Sequence, residues 1–392
     1  LSTLIQHLEE EALREAQQVA LEVARRFAAT VDRENRFPTE AVDALRSAGL
    51  LALLVPKSLN GIGGRFADAC EVAIMLGREC VSTALIWAMH SQQVAIMADH
   101  ACDQWRDALD DVAARGALIA SATSEPEKGG NLMLARAALQ LEGDRLHVDR
   151  PSPVVSYGAE ADYYLVTMRR SPARPETDVC FVLLSRGDGR VTGGWNAMGM
   201  RGTRSVSMHF EADVPPQRVL ATDFRHIVTS TAIPAAHLAW TSAWYGAARG
   251  ALDRFVTLLR NDAQERRRFA SDLFCSRLAD TRLSLDLLES MLRSLMQRYE
   301  SMRAENAPQA AYEEPAWTIA LNGLKVAGSR ISYSTVDLLI ELAGLTHGYL
   351  ADEVLGLERV FRDLRSATLM VNNDHLLQMN AKQMLMHQTG ES

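Results

Sequence analysis

The chain is placed first by what it lacks. Its 392 residues hold five cysteines, Cys70, Cys80, Cys102, Cys180 and Cys275, with no Cys-x-x-Cys pair and no histidine-rich spacing beside them. That argues against a zinc site or a disulfide framework and for reduced thiols. Basic charge is short as well: 41 Lys and Arg face 49 Asp and Glu, a net charge of -8. Nucleic acids and anionic membranes both demand a basic face, so neither is an expected partner. No apolar run approaches a membrane span. The opening Leu1-Ser-Thr-Leu4 lacks the basic-then-apolar order of a secretory leader, and a cytoplasmic location is expected. Internal repeats and low-complexity tails are absent too.

What remains is an ordinary globular composition, 47% hydrophobic and 23% charged, in a chain long enough for two or three domains. Residues 1 to 28 place Leu4, Ile5, Leu8, Ala12, Ala16, Val19 and Val23 at helical spacing, which predicts a long amphipathic helix with one buried stripe. A second, short helix should start at Pro38 and stop at Gly49. Further helices are expected near 65–80, 83–98 and 101–114, making 1–115 a helical domain.

The periodicity changes at Gly116. Short apolar runs at Ala117–Ser121, Ala137–Gln140, Leu146–Val148, Tyr163–Met168, Cys180–Leu184 and Ser205–Phe210 predict strands. At that spacing they predict a small antiparallel barrel or sandwich over 116–225. From 226 to 392 the helical pattern returns, with helices expected near 235–260, 264–303, 315–344 and 366–388. The expected fold class is therefore α+β: a helical domain, a middle β domain and a C-terminal four-helix bundle.

Two loops of the middle domain carry hydroxyls about thirty residues apart in sequence, Ser124 in Thr123-Ser-Glu-Pro126 and Ser156 in Val154-Val-Ser156. Isolated serines beside Gly or Pro usually cap a turn. Together with Gly129-Gly-Asn131, Trp195 to Thr203, Phe210 to Pro215 and Gly246 to Asp253, they resemble the acyl-CoA dehydrogenase superfamily over essentially the whole chain. The resemblance implies FAD held between the middle and C-terminal domains and across a subunit interface, and hence a homotetramer or dimer. It implies that Thr123 and Ser124 meet the pyrimidine side of the flavin, and that Val155 and Ser156 lie near its N5, hydroxyls serving as donors to the ring's polar edges. Arg266 and Phe269 would match the family Arg-x-x-Phe at the pyrophosphate; the alternative is a solvated basic helix end. Gly344 would stand in the family's glycine turn, and Asn373 would join the cofactor set.

The same resemblance exposes a gap. An acyl-CoA dehydrogenase needs a carboxylate to take the α-proton, yet the two family positions for it fall on Val371 and Ala236. One reading is α,β-dehydrogenation of an acyl thioester with an unusual base, the electrons leaving to an electron-transfer flavoprotein. A second is a flavin-dependent monooxygenase or N-oxygenase on the same fold, using FMN or FAD reduced by a separate reductase. A third is a non-catalytic scaffold. His90 and His375 are the candidate catalytic residues, with His237 a poorer one; no metal is expected.

Overall fold

The computed structural model describes residues 10–126, 131–351 and 354–386. Leu4, Ile5, Leu8, Gly129, Gly130 and the end of the last expected helix at Gln388 lie outside the described residues.

The first expected helix is one continuous rod: α1 (Glu10–Gln18), a π turn (Val19–Ala24) and α2 (Arg25–Glu34). Ala12, Ala16, Val19, Ala20, Ala24, Ala28 and Val31 form its buried stripe, as the spacing dictates. Helix α3 (Thr39–Ser47) begins after Pro38 and ends before Gly49, which takes φ 69°, a region glycine enters without strain. Next come α4 (Phe66–Glu79), α5 (Val81–His100) and α6 (Arg106–Arg115). Helix α5 is apolar on nearly every face and accordingly lies inside the protein.

The middle region has seven strands: β1 (Ile119–Ala122), β2 (Gln140–Glu142), β3 (Arg145–Val155), β4 (Tyr163–Arg169), β5 (Val179–Ser185), β6 (Gly189–Gly193) and β7 (Val206–Val214). They form two open sheets, ordered β1-β4-β5 and β2-β3-β7-β6, and no closed barrel. Every pairing is antiparallel except β1 with β4, which is parallel. Two expectations need correction. Strand β3 runs seven residues beyond the expected stop at Val148, past Pro151 and Pro153, because the irregularity between Ser152 and Val155 absorbs the second proline. Strand β6, rich in glycine and exposed, gave no apolar signal at all.

The C-terminal region contains α7 (Phe224–Ile227), a π turn (Val228–Ala232), α8 (Ile233–Asn261), α9 (Ala263–Arg266), α10 (Asp272–Ala304), α11 (Gln309–Tyr312), α12 (Pro315–Gly344), α13 (Leu357–Leu364), α14 (Ala367–Met370) and α15 (Asn373–Met386). The expected 264–303 helix is broken near Ser271, whose Oγ accepts from the Phe274 N–H at 3.3 Å and starts α10 afresh. The expected last helix is broken too. Asn372 Oδ1 accepts from the Asp374 and His375 N–H groups at 2.8 and 3.3 Å, so it caps a new helix, α15.

Helices α4 and α8 cross so closely that backbone meets backbone. A Cβ on Gly246 would lie 2.3 Å from the Ile74 carbonyl oxygen, one on Gly250 2.5 Å from that of Arg78, and one on Gly77 2.3 Å from that of Ala243. Three glycines on two facing helices therefore set the distance between the N-terminal and C-terminal helical layers. No helix among the described residues is long and apolar enough to cross a membrane.

Candidate active site

The loop after β1 is fixed by a buried ion pair. Arg150, in the middle of β3, is fully buried and donates to the carbonyls of Thr167 at 2.5 Å, Ala122 at 3.1 Å and Ser124 at 3.0 Å. Its charge is opposed by Glu125, 3.5 Å away, whose carboxylate also accepts from the Arg136 and Ala137 N–H groups at 3.0 and 2.6 Å. Burial pushes the guanidinium down to about 10, with Glu125 acting against the shift. Thr123 and Ser124 are thus held from both sides.

Beneath that loop lies a cavity of about 320 Å³. Its roof is Ser121, Thr123 and Ser124; α5 contributes Gln92, Gln93 and Ile96; α8 contributes Ala236, His237 and Trp240. Tyr312, Trp317 and Leu321 close one end, and Met370, Val371 and His375 stand at the other. No Asp, Glu, Lys or Arg lines it among the described residues. Ala236 and Val371, the two positions the family resemblance offers for a base, are far apart in sequence yet both face this one space.

The π turn Val228–Ala232 supplies Thr229 and Ala232 to the wall. Such turns are enriched at functional sites because they push one residue out of helical register. This one is tied down from behind: His100 Nε2 is 2.9 Å from Thr231 Oγ1, which donates to Asp99 at 3.0 Å, and Asp99 pairs with Arg303 at 2.5 Å.

Ser124 and Ser156 need correction as hydrogen-bond donors. Ser124 Oγ donates to the Val154 carbonyl at 2.8 Å and accepts from the Val154 N–H at 3.2 Å, stitching the two loops together. Ser156 does not line the cavity; its Oγ is 3.0 Å from Ser205 Oγ, which is 2.8 Å from Thr203 Oγ1, which donates to the Met200 carbonyl at 2.8 Å. Ser124 spends its proton inside the protein, and Ser156 ends a chain of hydroxyls that closes on the Met200 carbonyl. Val155, fully buried, is the end of β3 beside Val206.

The histidines separate. His90 is 1% exposed and outside the cavity; its Nδ1 accepts from the Ile119 N–H at 3.2 Å and its Nε2 is 2.9 Å from the Leu51 carbonyl. Both nitrogens are taken by backbone, and burial pushes the ring down to about 4. It staples the loop after α3 to β1. His375 is exposed at the cavity mouth, on the first turn of α15. His237 is buried in the cavity wall, its Nδ1 without a partner among the described residues; burial and then the charge of Lys325 push it down to about 3.

Asn373 is turned inward. Its Oδ1 accepts from Lys325 Nζ at 2.8 Å and its Nδ2 donates to Ser329 Oγ at 3.0 Å. Arg266 and Phe269 are exposed and lie outside the cavity, with Arg266 bonded to the Arg260 carbonyl in its own loop. Gly344 takes φ 73° at the end of α12, before a π turn (Leu345–Tyr349).

Sequence reasoning missed Trp240, Trp317, Gln92 and Lys325. Trp240 stands one turn beyond Ala236 on the same helix, a spacing that signals a shared face. Lys325, fully buried in the apolar run of α12, was itself a signal, since lysine is almost never buried without a reason.

Residues 7–114 match the sequence profile of the acyl-CoA dehydrogenase N-terminal domain, and residues 227–374 that of the acyl-CoA dehydrogenase C-terminal domain. A probable acyl-CoA dehydrogenase of Mycobacterium tuberculosis, FadE25, is 24% identical over 350 residues, covering 86% of this chain and 85% of the relative. The FMN-bound structure of TdsC from Paenibacillus sp. A11-2 superposes with a TM-score of 0.85 at 21% identity, covering 96% of this chain and 98% of that one. Butyryl-CoA dehydrogenase from Megasphaera elsdenii gives 0.84 at 15% identity, covering 97% and 98%. The two matched regions account for well over half of the residues, and the chain belongs to the acyl-CoA dehydrogenase family of flavin-dependent oxidoreductases.

Proposed function

We propose that this chain is a flavin-dependent monooxygenase acting on a small aromatic or heteroaromatic substrate, with FAD or FMN in the cavity beneath Thr123 and Ser124. The observation that carries this reading is the charge-free wall: with Ala236 and Val371 at both base positions, no described carboxylate is placed to take an α-proton. The residues fit a flavin. Trp240, Phe181 and Ile96 offer apolar faces to a flat ring, while Ser121, Thr123 and Ser124 give a polar edge, and Trp240 Nε1 and His237 Nδ1 are buried polar atoms awaiting a partner.

When bound and reduced, the flavin supplies the electrons that divide dioxygen between substrate and water. The remaining lone pair of Ser124 suits an N–H group on the ring, and a reduced flavin carries one such group at N5. Trp240, Trp317 and Tyr312 would exclude water and stack a planar substrate. His237 stays neutral and would accept a hydrogen bond from it. His375 stands exposed at the mouth.

The test is a turnover with labelled dioxygen and a flavin reductase. One labelled oxygen atom in the product supports the reading. Anaerobic bleaching of bound flavin by acyl-CoAs would instead identify a dehydrogenase, with an electron-transfer flavoprotein as acceptor and His375, an exposed histidine at the cavity, as its base.

A self-associated state, dimer or tetramer, is also proposed. Leu283 and Leu287 of α10 are 57% and 62% exposed, and Leu385 and Met386 of α15 are 87% and 70% exposed, more apolar surface than isolated helices in water tolerate well.

A further inference from the structure

At the far end of α8 from the cavity lies a second concavity, of about 660 Å³, walled by arginines. Arg25 and Arg26 enter it from α2, Arg78 from the end of α4, Arg254 from α8 and Arg359 from α13. Two carboxylates share the space, and both are used. Glu79 takes Arg25 Nε and Nη2 at 2.6 and 2.8 Å, and Asp253 takes Arg78 at 2.6 Å. Arg26, Arg254 and Arg359 have no carboxylate within 4.0 Å among the described residues.

Arg254 is the informative one. Its Nε donates to the Leu355 carbonyl at 3.0 Å and its Nη1 to the Arg78 carbonyl at 2.5 Å, which lock the guanidinium plane. Its Nη2 is buried with no acceptor among the described residues. Burial pushes the group down to about 10; Glu79 opposes that, and Arg359, Arg25 and Arg78 add to it. Three guanidiniums with no carboxylate bonded to them meet in one concavity, Arg26 exposed and Arg254 with a buried, unpartnered Nη2, and together they make a local positive field that draws an anion. A guanidinium fork matches phosphate geometry, and Ala29, Leu258 and Leu355 give the same space an apolar strip. The volume is that of a small-molecule site and far exceeds a lone phosphate. Arg266, Phe269 and Gly344 lie outside it.

We propose that this concavity binds an organic phosphate of nucleotide size, its phosphates on Arg26, Arg254 and Arg359 and its apolar part against Leu258 and Leu355. The phosphate can belong to a free nucleotide or to the nucleotide end of a larger molecule, and the probes are ADP, coenzyme A, inorganic pyrophosphate and adenosine.

The experiment is calorimetric titration of the full, flavin-loaded chain. ADP and pyrophosphate are expected to bind, more weakly as salt rises from about 50 to about 300 mM, and adenosine is not. Coenzyme A binding in competition with ADP would identify the larger source; ADP binding without it, the free one. The Arg26→Gln/Arg359→Gln double variant should lose at least about tenfold in ADP affinity with flavin content unchanged. Thr257→Glu, an exposed wall position, should do the same by adding a carboxylate while leaving every arginine in place. ADP binding of equal strength in both variants, or no heat from ADP and pyrophosphate at millimolar concentration, overturns the proposal.

Discussion

Lys325 Nζ lies 2.8 Å from Asn373 Oδ1 and also reaches the Val371 carbonyl, so one buried ammonium holds both the backbone at Val371 and the first turn of α15. No carboxylate among the described residues pairs with it; the Trp244 ring, 5.9 Å away, gives a weak cation–π contact. Lys325→Met should free two buried acceptors, each worth about 1–3 kcal/mol. Burial lowers the folded lysine from 10.5 to about 8, so between those pH values the unfolded chain binds more protons. This contribution is complete above 10.5 and lost as pH falls through about 8. Thermal melts at pH 8 and pH 10 should show the wild type gaining on Lys325→Met; parallel curves would reject the assignment.

Asp363 is expected to behave oppositely. It is buried in the last turn of α13, where it accepts the Met200 N–H at 2.5 Å, and burial raises it to about 7. A raised folded value gives a contribution complete below 3.8 and lost as pH rises through about 7. Asp363→Asn keeps an acceptor but carries no charge. Its melting temperature should climb relative to wild type from pH 5 to pH 8, and a constant difference would count against the buried carboxyl.

His90 and His375 should divide stability from activity. His90→Ala leaves the Ile119 N–H and the Leu51 carbonyl without partners, a loss of about 1–3 kcal/mol for each, with turnover per flavin-loaded molecule unchanged. His375→Ala, at an exposed position, should change stability by less than about 0.5 kcal/mol and lower turnover. Denaturant titration beside steady-state assays reads both, and the reverse pattern would exchange their roles.

Glu125→Gln should strand the Arg150 charge in the interior at a cost of about 3–5 kcal/mol. Because Arg150 holds the Ala122 and Ser124 carbonyls, flavin release should quicken as well. A variant that is destabilised yet retains flavin as tightly as wild type would show that the pair supports the sheet and not the site.

Much of the scaffold was legible because local rules carry it. Pro38, Gly49 and Gly116 punctuate helices by their own dihedral preferences, and the buried stripe of α1 and α2 follows from spacing alone. The misses are of two kinds. Pro153 in β3 is tolerated because the pairing with β7 is irregular there, a non-local fact, whereas the Asn372 cap of α15 is local but lies inside a stretch whose helical spacing hides the break. The site was half legible. The resemblance singled out Ala236 and Val371 without showing that they line one cavity, and the serine hydroxyls' partners, Val154 and Ser205, are contacts no spacing reveals.

The glycine crossing of α4 and α8 makes α8 a strut. Eighteen residues separate Ala236 at the cavity from Arg254 at the arginine cluster, about 27 Å of helix at 1.5 Å per residue. With Gly246 and Gly250 seated on the carbonyls of Ile74 and Arg78, the rod has no slack to bow or to roll at its midpoint. The floor of the cavity and the arginine cluster are thus built on one rod whose middle is clamped to α4.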